Sequence, residues 1–172
     1  LQGWLNGVLP GAELLDVDHS NLEPLPEPFR LGVTIRAQGL LADEGGTAVL
    51  RRFFEGPIGL KALGLRTAEG YLARNQRRMP MWVEPVAESL VVEVRVPAEL
   101  GAPVDPPATF DKSHRWGRTA QRFSWDPGSR TARLTQDTEL FASRVTPAEY
   151  PAFREVAQEV ALRTRNRLLL RR

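Results

Sequence analysis

Asp111, Ser113 and His114 supply the residue types of a hydrolytic triad within one short segment. In a working triad the histidine lies between the nucleophile and the carboxylate, and the three side chains converge from different elements of the fold. Residues crowded into one loop rarely achieve that convergence. We therefore interpret the three as non-catalytic and predict no catalytic residue in the chain.

The same segment is a candidate binding patch because it combines basic side chains with an aromatic ring. Its members are Lys112, His114, Arg115, Trp116 and Arg118. An exposed tryptophan among cations can stack on a nucleobase or a sugar. The alternative is a charged hairpin loop in which Trp116 folds onto the core, and we favour that alternative.

A second basic cluster consists of Arg74, Arg77 and Arg78. No aromatic residues are interleaved with these arginines, as they would be in a surface that stacks successive bases. The pattern is more typical of a solvated face, and we assign it no function.

The carboxylates of Asp16, Asp18 and Glu27 have the spacing of positions 1, 3 and 12 in a calcium-binding loop. Asn21 stands where that loop needs glycine, and Pro24 stiffens the chain. Because the flanking sequence is not a pair of helices, we interpret the segment as a solvated turn and predict no metal site.

Composition excludes several classes of function. The chain has 172 residues, no cysteine and a formal net charge of +2. Without cysteine it forms no disulfide, no thiolate metal site and no cysteine nucleophile. The nearly neutral charge gives no strong field for nucleic acid, and no stretch approaches the roughly 18 apolar residues of a membrane span. We predict no cofactor, no nucleic acid partner and no membrane span.

The elements that hold these residues are mainly strands, followed by one strong helix. Thr146, Pro147 and Glu149 form the pattern of a capping box with proline at the first helical position. The apolar positions that follow have the spacing of one buried helical face, and they are Tyr150, Phe153, Val156, Ala157, Val160 and Ala161. We predict a helix over about 147–164.

Period-two alternation and turn residues predict the strands. The segments are Glu13–Asp18, Leu31–Ala37, Thr47–Phe54, Leu90–Val96, a hairpin that sets Phe123 and Trp125 against Ala132 and Leu134, and a last edge strand at Arg167–Arg172. The Leu90–Val96 strand is predicted to be central in its sheet. Extended connectors are predicted at Glu23–Pro28 and Gly101–Pro107, and residues 56–76 are left without an element.

The predicted fold class is mainly β, an antiparallel β-sandwich with a short N-terminal helix and the C-terminal helix packed on its outside. An apolar stripe indicates the N-terminal helix, at Leu1, Trp4, Leu5 and Val8. We expect a single domain over 1–172. Because the chain begins without methionine, we expect it to be excised from the C-terminus of a larger protein.

A set of short motifs follows one another in a recognisable order. They are Pro10-Gly11-Ala12, a proline-rich connector, Arg78-Met79-Pro80-Met81, a valine-rich strand ending at Val96-Pro97, the Phe123/Trp125 hairpin and Thr146-Pro147-Ala148-Glu149-Tyr150. This order resembles the C-terminal region of bacterial transglutaminase-like proteins. Those proteins carry an N-terminal domain of unknown function, a papain-like transglutaminase core and a closing β-sandwich.

In such proteins the catalytic Cys, His and Asp belong to the core, and no position of this chain carries them. The resemblance therefore implies a non-catalytic accessory domain that shapes access to the upstream core or docks onto that core or another protein. It also implies a periplasmic or cell-surface setting.

Two other functions stay open. An independent module that binds glycan or peptide on the sandwich surface is favoured if Trp82, Trp116 and Trp125 stand exposed together. A free-standing enzyme requires a cleft with convergent titratable groups, which the sequence does not indicate.

Overall fold

Strands dominate the part of the chain that the computed structural model describes, which is residues 3, 11–20, 30–39, 41–50, 71–163 and 167–172. The chain separates into two compact units, Leu1–Leu41 and Ala42–Arg172. The predicted N-terminal helix, the 23–28 connector, the second half of the Thr47–Phe54 strand and most of 56–76 lie outside the described residues. No helix within these ranges is long and apolar enough to cross a membrane.

The first unit contains one antiparallel pair, β1 (Glu13–His19) and β2 (Leu31–Arg36). Val33 and Ile35 are half-buried while Thr34 between them is exposed, as the alternation predicts, whereas Leu31 at the start of the strand is exposed. Asp16 and Asp18 are exposed positions of β1. The predicted Glu13–Asp18 strand is confirmed, so Asp16 and Asp18 lie in a strand paired with β2 instead of in a turn, and residues 21–27 of the predicted turn lie outside the described residues.

The remaining strands form three antiparallel sheets, and a helix lies between the last two strands in the chain. The strands are β3 (Leu41–Glu44), β4 (Thr47–Leu50), β5 (Met81–Val83), β6 (Val86–Arg95), β7 (Pro103–Asp105), β8 (Phe110–His114), β9 (Gly117–Asp126), β10 (Thr131–Leu140), β11 (Ser143–Val145) and β12 (Leu168–Arg171), and the helix is α1 (Tyr150–Arg163). The sheet orders are β6-β10-β9-β8, β3-β4-β12-β7 and β11-β5. The predicted mainly-β, sandwich-like antiparallel fold with a C-terminal helix is confirmed.

The β9–β10 hairpin has the predicted faces. Trp125 lies opposite Ala132, and Phe123 lies opposite Leu134. The Asp126 carboxylate tightens the turn between the strands. It accepts hydrogen bonds from the backbone N–H groups of Gly128, at 2.9 Å, and Ser129, at 3.3 Å. Arg130 closes the turn with a φ of 55°, the left-handed conformation that a longer hairpin connection uses.

Two strands occupy places that their patterns did not indicate. β6, predicted to be central, pairs among the described strands only with β10 and lies at the end of its sheet. β12, predicted to be an edge, lies between β4 and β7, and β7 itself falls within the predicted 101–107 connector. Side-chain alternation reports which face of a strand is buried, whereas its neighbours depend on pairing with distant segments.

Helix α1 packs on a cluster of buried residues contributed by β5, β11, the β8–β9 turn and Tyr71. The cluster consists of Tyr71, Met81, Val83, Trp116, Val145, Tyr150, Phe153 and Ala157. Four predicted positions of the helical face therefore meet the core or its border, since Val156 packs against the same cluster. The helix has the predicted apolar face.

The capping box at the start of α1 is complete. The Glu149 carboxylate accepts hydrogen bonds from the Thr146 backbone N–H at 2.9 Å and from the Thr146 hydroxyl at 3.0 Å. The Glu149 N–H approaches the Thr146 carbonyl at 3.1 Å, an i to i−3 contact. The residues 147–149 therefore form a tighter turn, and the regular helix begins at Tyr150 instead of the predicted 147.

Candidate functional site

The triad residue types lie on β8, which is a strand and not the predicted loop. Because side chains alternate along a strand, Asp111 and Ser113 are exposed on one face, while Lys112 and His114 are half-buried on the other. The carboxylate of Asp111 binds Arg118, and Nδ1 of His114 lies 3.2 Å from the backbone N of Trp116, from which it accepts a hydrogen bond. The three side chains do not converge on a common point.

The surroundings of this hairpin change how its groups titrate. Burial lowers the pKa of His114 below its ordinary value, which favours the neutral imidazole. The hydrogen bond from Arg118 lowers the pKa of Asp111. Each shift favours the form that suits the group's internal contact, the neutral imidazole as an acceptor and the ionised carboxylate beside Arg118.

The lysine and both arginines of the predicted 112–118 patch each form an ion pair within the chain. Lys112 binds Glu159 of α1. The Arg115 Nη2 atom lies 2.5 Å from Oε1 of Glu149. Arg118 donates through Nε to Asp111 at 2.9 Å. The patch therefore carries little unbalanced positive charge, and two of its three ion pairs tie the hairpin to the helix.

The aromatic member of the patch, Trp116, is folded onto the core with 4% of its surface exposed. Its ring meets Phe153 edge to face at a centroid distance of 5.2 Å, and the Arg115 guanidinium lies 4.9 Å from its centroid. A nucleobase or sugar would have to displace these contacts to stack on the ring. Of the other two tryptophans considered for a binding surface, Trp82 is 68% exposed and Trp125 is half-buried.

The second basic cluster forms part of a pocket at the start of α1. The pocket has a volume of about 210 Å³ and is lined by Asn75, Gln76, Arg77, Pro147, Tyr150 and Pro151. The guanidinium carbon of Arg77 lies 5.2 Å from the centroid of the Tyr150 ring, within the range of a cation–π contact. The aromatic partner that the sequence pattern lacked is thus supplied by the helix.

Tyr150 forms the floor beneath Arg77 and is held rigidly. It is 1% exposed, and the single proton of its hydroxyl is shared between the Arg74 carbonyl at 2.5 Å and the Tyr71 carbonyl at 3.0 Å. On the adjoining turn of the helix, Arg154 donates through Nη2 to Oδ1 of Asn75 at 2.9 Å. The 74–77 segment is therefore pinned to α1 at two points.

Arg77 differs from the arginines of the first patch in its partners. Within the described part of the chain it has no carboxylate partner, and its Nε is buried with no hydrogen-bond acceptor. Sequence reasoning missed this pocket because its two halves are far apart in the chain. The available signal was the absence of any acidic residue between Tyr71 and Val83, which leaves three arginines without a local counter-charge.

One carboxyl group outside both clusters is also perturbed. Glu88 occupies a half-buried position of β6 opposite Thr138, and burial raises its pKa to about 6. Within the described ranges no three His, Asp or Glu side chains are grouped so that they could hold a metal ion.

Comparison with known proteins leaves the family unassigned. No protein-family model matches the chain, and no curated protein matches it. A solved structure from Parabacteroides distasonis, provisionally described as a protease, is similar to this chain with a TM-score of 0.54 and 17% sequence identity. The match covers 75% of this chain and 24% of that chain, so this chain spans about a quarter of the length of that protein. At this identity the similarity shows the fold alone.

Proposed function

We propose that the chain is a non-catalytic accessory domain of a transglutaminase-like protein, which docks onto an upstream catalytic core or a partner protein and shapes access to it. This proposal rests on one observation: the residues best suited to chemistry make contacts inside the fold. Lys112 binds a carboxylate of α1, Arg115 binds the Glu149 carboxylate in the turn that leads into α1, and Trp116 packs on Phe153. These groups act as internal ties between the hairpin and the helix.

The architecture of the solved structure that the chain resembles adds support. There a similar fold makes up about a quarter of a longer chain, which is the relation expected of an accessory domain. The provisional description of that protein as a protease is compatible with a papain-like core elsewhere in a longer chain, because papain-like folds include cysteine proteases. The transglutaminase-like assignment itself rests on the resemblance of the motifs.

Trp82 is the best candidate for a docking contact. It lies on β5 opposite Arg144, is 68% exposed, and stands on the face away from the buried Met81 and Val83. Tryptophan is enriched among residues that contribute strongly to protein–protein binding. We expect Trp82 to be covered by the neighbouring domain or partner.

The test compares the complete gene product with a form that lacks residues 1–172. We expect the deletion to lower the thermal stability of the upstream core or to change its peptide turnover. Trp82→Ala should reproduce part of that change. Val91→Ala, which truncates another exposed apolar strand residue, is the matched control and should leave both readouts as they are.

Two results would contradict the proposal. One is a core whose stability and turnover are the same with and without residues 1–172. The other is turnover of peptide, ester or amine-acceptor substrates by the purified chain alone that survives repurification and is abolished by His114→Ala.

A further inference from the structure

We propose that the pocket formed by Asn75, Gln76, Arg77, Pro147, Tyr150 and Pro151 is a binding site for a carboxylate group, presented by a peptide or a small acid. This inference goes beyond the accessory role proposed above and does not depend on it. It rests on the charge, the rigidity and the donor set of the pocket, which are separate observations.

The charge of the pocket is positive and unbalanced. Among the described residues that line it, Arg77 is the only ionisable one apart from the buried phenol of Tyr150, and none of these residues is acidic. The adjacent carboxylate in the helix start, that of Glu149, is already bound by Arg115 and by Thr146. An anion entering the pocket would therefore meet a cation that has no carboxylate partner in the described chain.

The Arg77 side chain is already placed for binding. Its guanidinium lies over the Tyr150 ring at 5.2 Å, and the hydroxyl of that tyrosine is anchored by two backbone carbonyls. A cation–π contact restrains a guanidinium, and its terminal N–H groups can still make a bidentate contact with a carboxylate. The Arg77 side chain would therefore lose less conformational entropy when a ligand binds than a freely moving arginine would.

The amide of Asn75 is oriented as a donor. Its Oδ1 accepts the hydrogen bond from Arg154, so its Nδ2 is left with two N–H groups and no acceptor role. Gln76 also lines the pocket, and its amide can donate as well as accept. A pocket that combines an uncompensated cation with amide N–H donors is suited to a ligand that only accepts, as an ionised carboxylate does.

Size and walls restrict what carries that carboxylate. The volume of about 210 Å³ is below the range typical of pockets for drug-sized ligands. Pro147 and Pro151 give apolar walls without backbone N–H groups. The pocket therefore fits one carboxylate and the few carbon atoms next to it, as in a peptide C-terminus or an acidic side chain.

The experiment measures binding of three short peptide probes to the purified chain by titration calorimetry and by the NMR signal of the Arg77 Nε–H. The probes are an N-acetylated dipeptide with a free C-terminus, the same dipeptide as its C-terminal amide, and a C-terminally amidated peptide containing one glutamate. Inorganic phosphate is the fourth probe. We expect saturable binding of at least one carboxylate probe and no binding of the neutral amide, and the comparison of the first and third probes assigns the carboxylate to a chain terminus or a side chain.

Variants locate the site. Arg77→Ala should weaken binding at least tenfold, and Arg77→Lys should weaken it as well because lysine keeps the charge but loses the planar fork. Arg78→Ala removes an equal charge from the next residue, which is exposed and does not line the pocket, and should leave the affinity as it is. Thermal melts of all three variants check that they remain folded.

Several results would overturn the inference. They are equal binding of the acid and amide dipeptides, tighter binding of phosphate than of every carboxylate probe, an equal loss of affinity in Arg77→Ala and Arg78→Ala, and absence of saturable binding at millimolar concentrations of all probes.

Discussion

The two basic segments of this protein contact the same helix but differ in what balances their charge. In the 112–118 patch, Lys112 binds Glu159 of α1, and Arg115 binds Glu149 in the turn that leads into α1. In the 74–78 cluster, Arg77 stacks on an aromatic residue of that helix and has no acidic partner in the described chain. The difference shows that basic residues become internal ties where the fold brings acids to them and keep an unbalanced charge where, among the described residues, it does not.

The largest expected effect tests whether both segments depend on the same packing. Phe153 is 4% exposed and contacts the rings of Tyr71, Trp116 and Tyr150, at centroid distances of 5.9, 5.2 and 6.4 Å. Phe153→Ala should lower the free energy of unfolding by about 3–5 kcal/mol, because it leaves a cavity beneath both segments. Urea melts measure the change.

Thr146→Ala is the comparison variant for Phe153. It removes the cap without touching the aromatic cluster and should cost about 1 kcal/mol. If the Phe153 change costs no more than the Thr146 change, the helix does not depend on this packing and the comparison of the two segments fails.

The next effect concerns the 74–78 side alone. Tyr150→Phe removes the hydroxyl that donates to the carbonyls of Tyr71 and Arg74. Because the two carbonyls then lack this donor, the free energy of unfolding measured in urea melts should fall by about 1–3 kcal/mol. Tyr71→Phe is the control, because its hydroxyl accepts one hydrogen bond, from the Glu84 N–H at 3.2 Å, and it should cost less. A larger loss in the control would mean that Tyr150 does not anchor the segment.

The third test uses pH and addresses the 112–118 side. The Thr146 backbone N–H, the Arg115 guanidinium and the Thr146 hydroxyl lower the pKa of Glu149 from 4.5 to about 2. Because the folded pKa lies below the unfolded one, the stability that Glu149 contributes is complete above about pH 4.5 and is lost as the pH falls towards 2. The difference in unfolding free energy between the native protein and Glu149→Gln should therefore be constant from pH 7 to 5 and shrink below.

The control for this pH dependence is Glu155→Gln, which removes an exposed carboxylate from the same helix. We expect its difference from the native protein to stay small across the range. A Glu149→Gln difference that does not change down to pH 3 would show that its carboxylate is not held by the cap and by Arg115 in solution.

The smallest effect separates the two segments by their response to salt. Lys112 and Glu159 are each 40% exposed in their side chains, so Lys112→Ala should cost at most about 1 kcal/mol. That cost should diminish in about 1 M salt, where screening acts over roughly 3 Å. Arg77→Ala should show no such salt dependence, because no carboxylate partner is lost. Equal salt dependence in both variants would remove the distinction between the segments.

Much of the local structure could be predicted from the residues themselves. The start of α1 follows from Thr146 and Glu149, whose reciprocal hydrogen bonds span three residues. The faces of the β9–β10 hairpin follow from the alternation of Phe123 and Trp125 across a turn that Asp126 closes. These interactions join near neighbours, so local spacing contains the information that determines them.

The candidate sites could be predicted only in part. The sequence identified the basic residues of both segments, and it offered a hairpin with Trp116 on the core as the alternative to a binding patch, which matches the burial of that ring. It did not indicate that Glu149 and Glu159 would neutralise Arg115 and Lys112. In the chain, β9, β10 and β11 separate these glutamates from their basic partners.

The sequence by itself determined the mainly-β class, the faces of the β9–β10 hairpin, the buried face of the helix and the absence of cysteine chemistry, since these depend on residue type and short-range spacing. The tertiary structure alone decided that β6 lies at the end of its sheet, that β12 lies inside another, and that Arg77 rests on Tyr150. Strand neighbours and the partners of a long charged side chain are set by contacts between distant segments, which compete with one another only once the chain has folded.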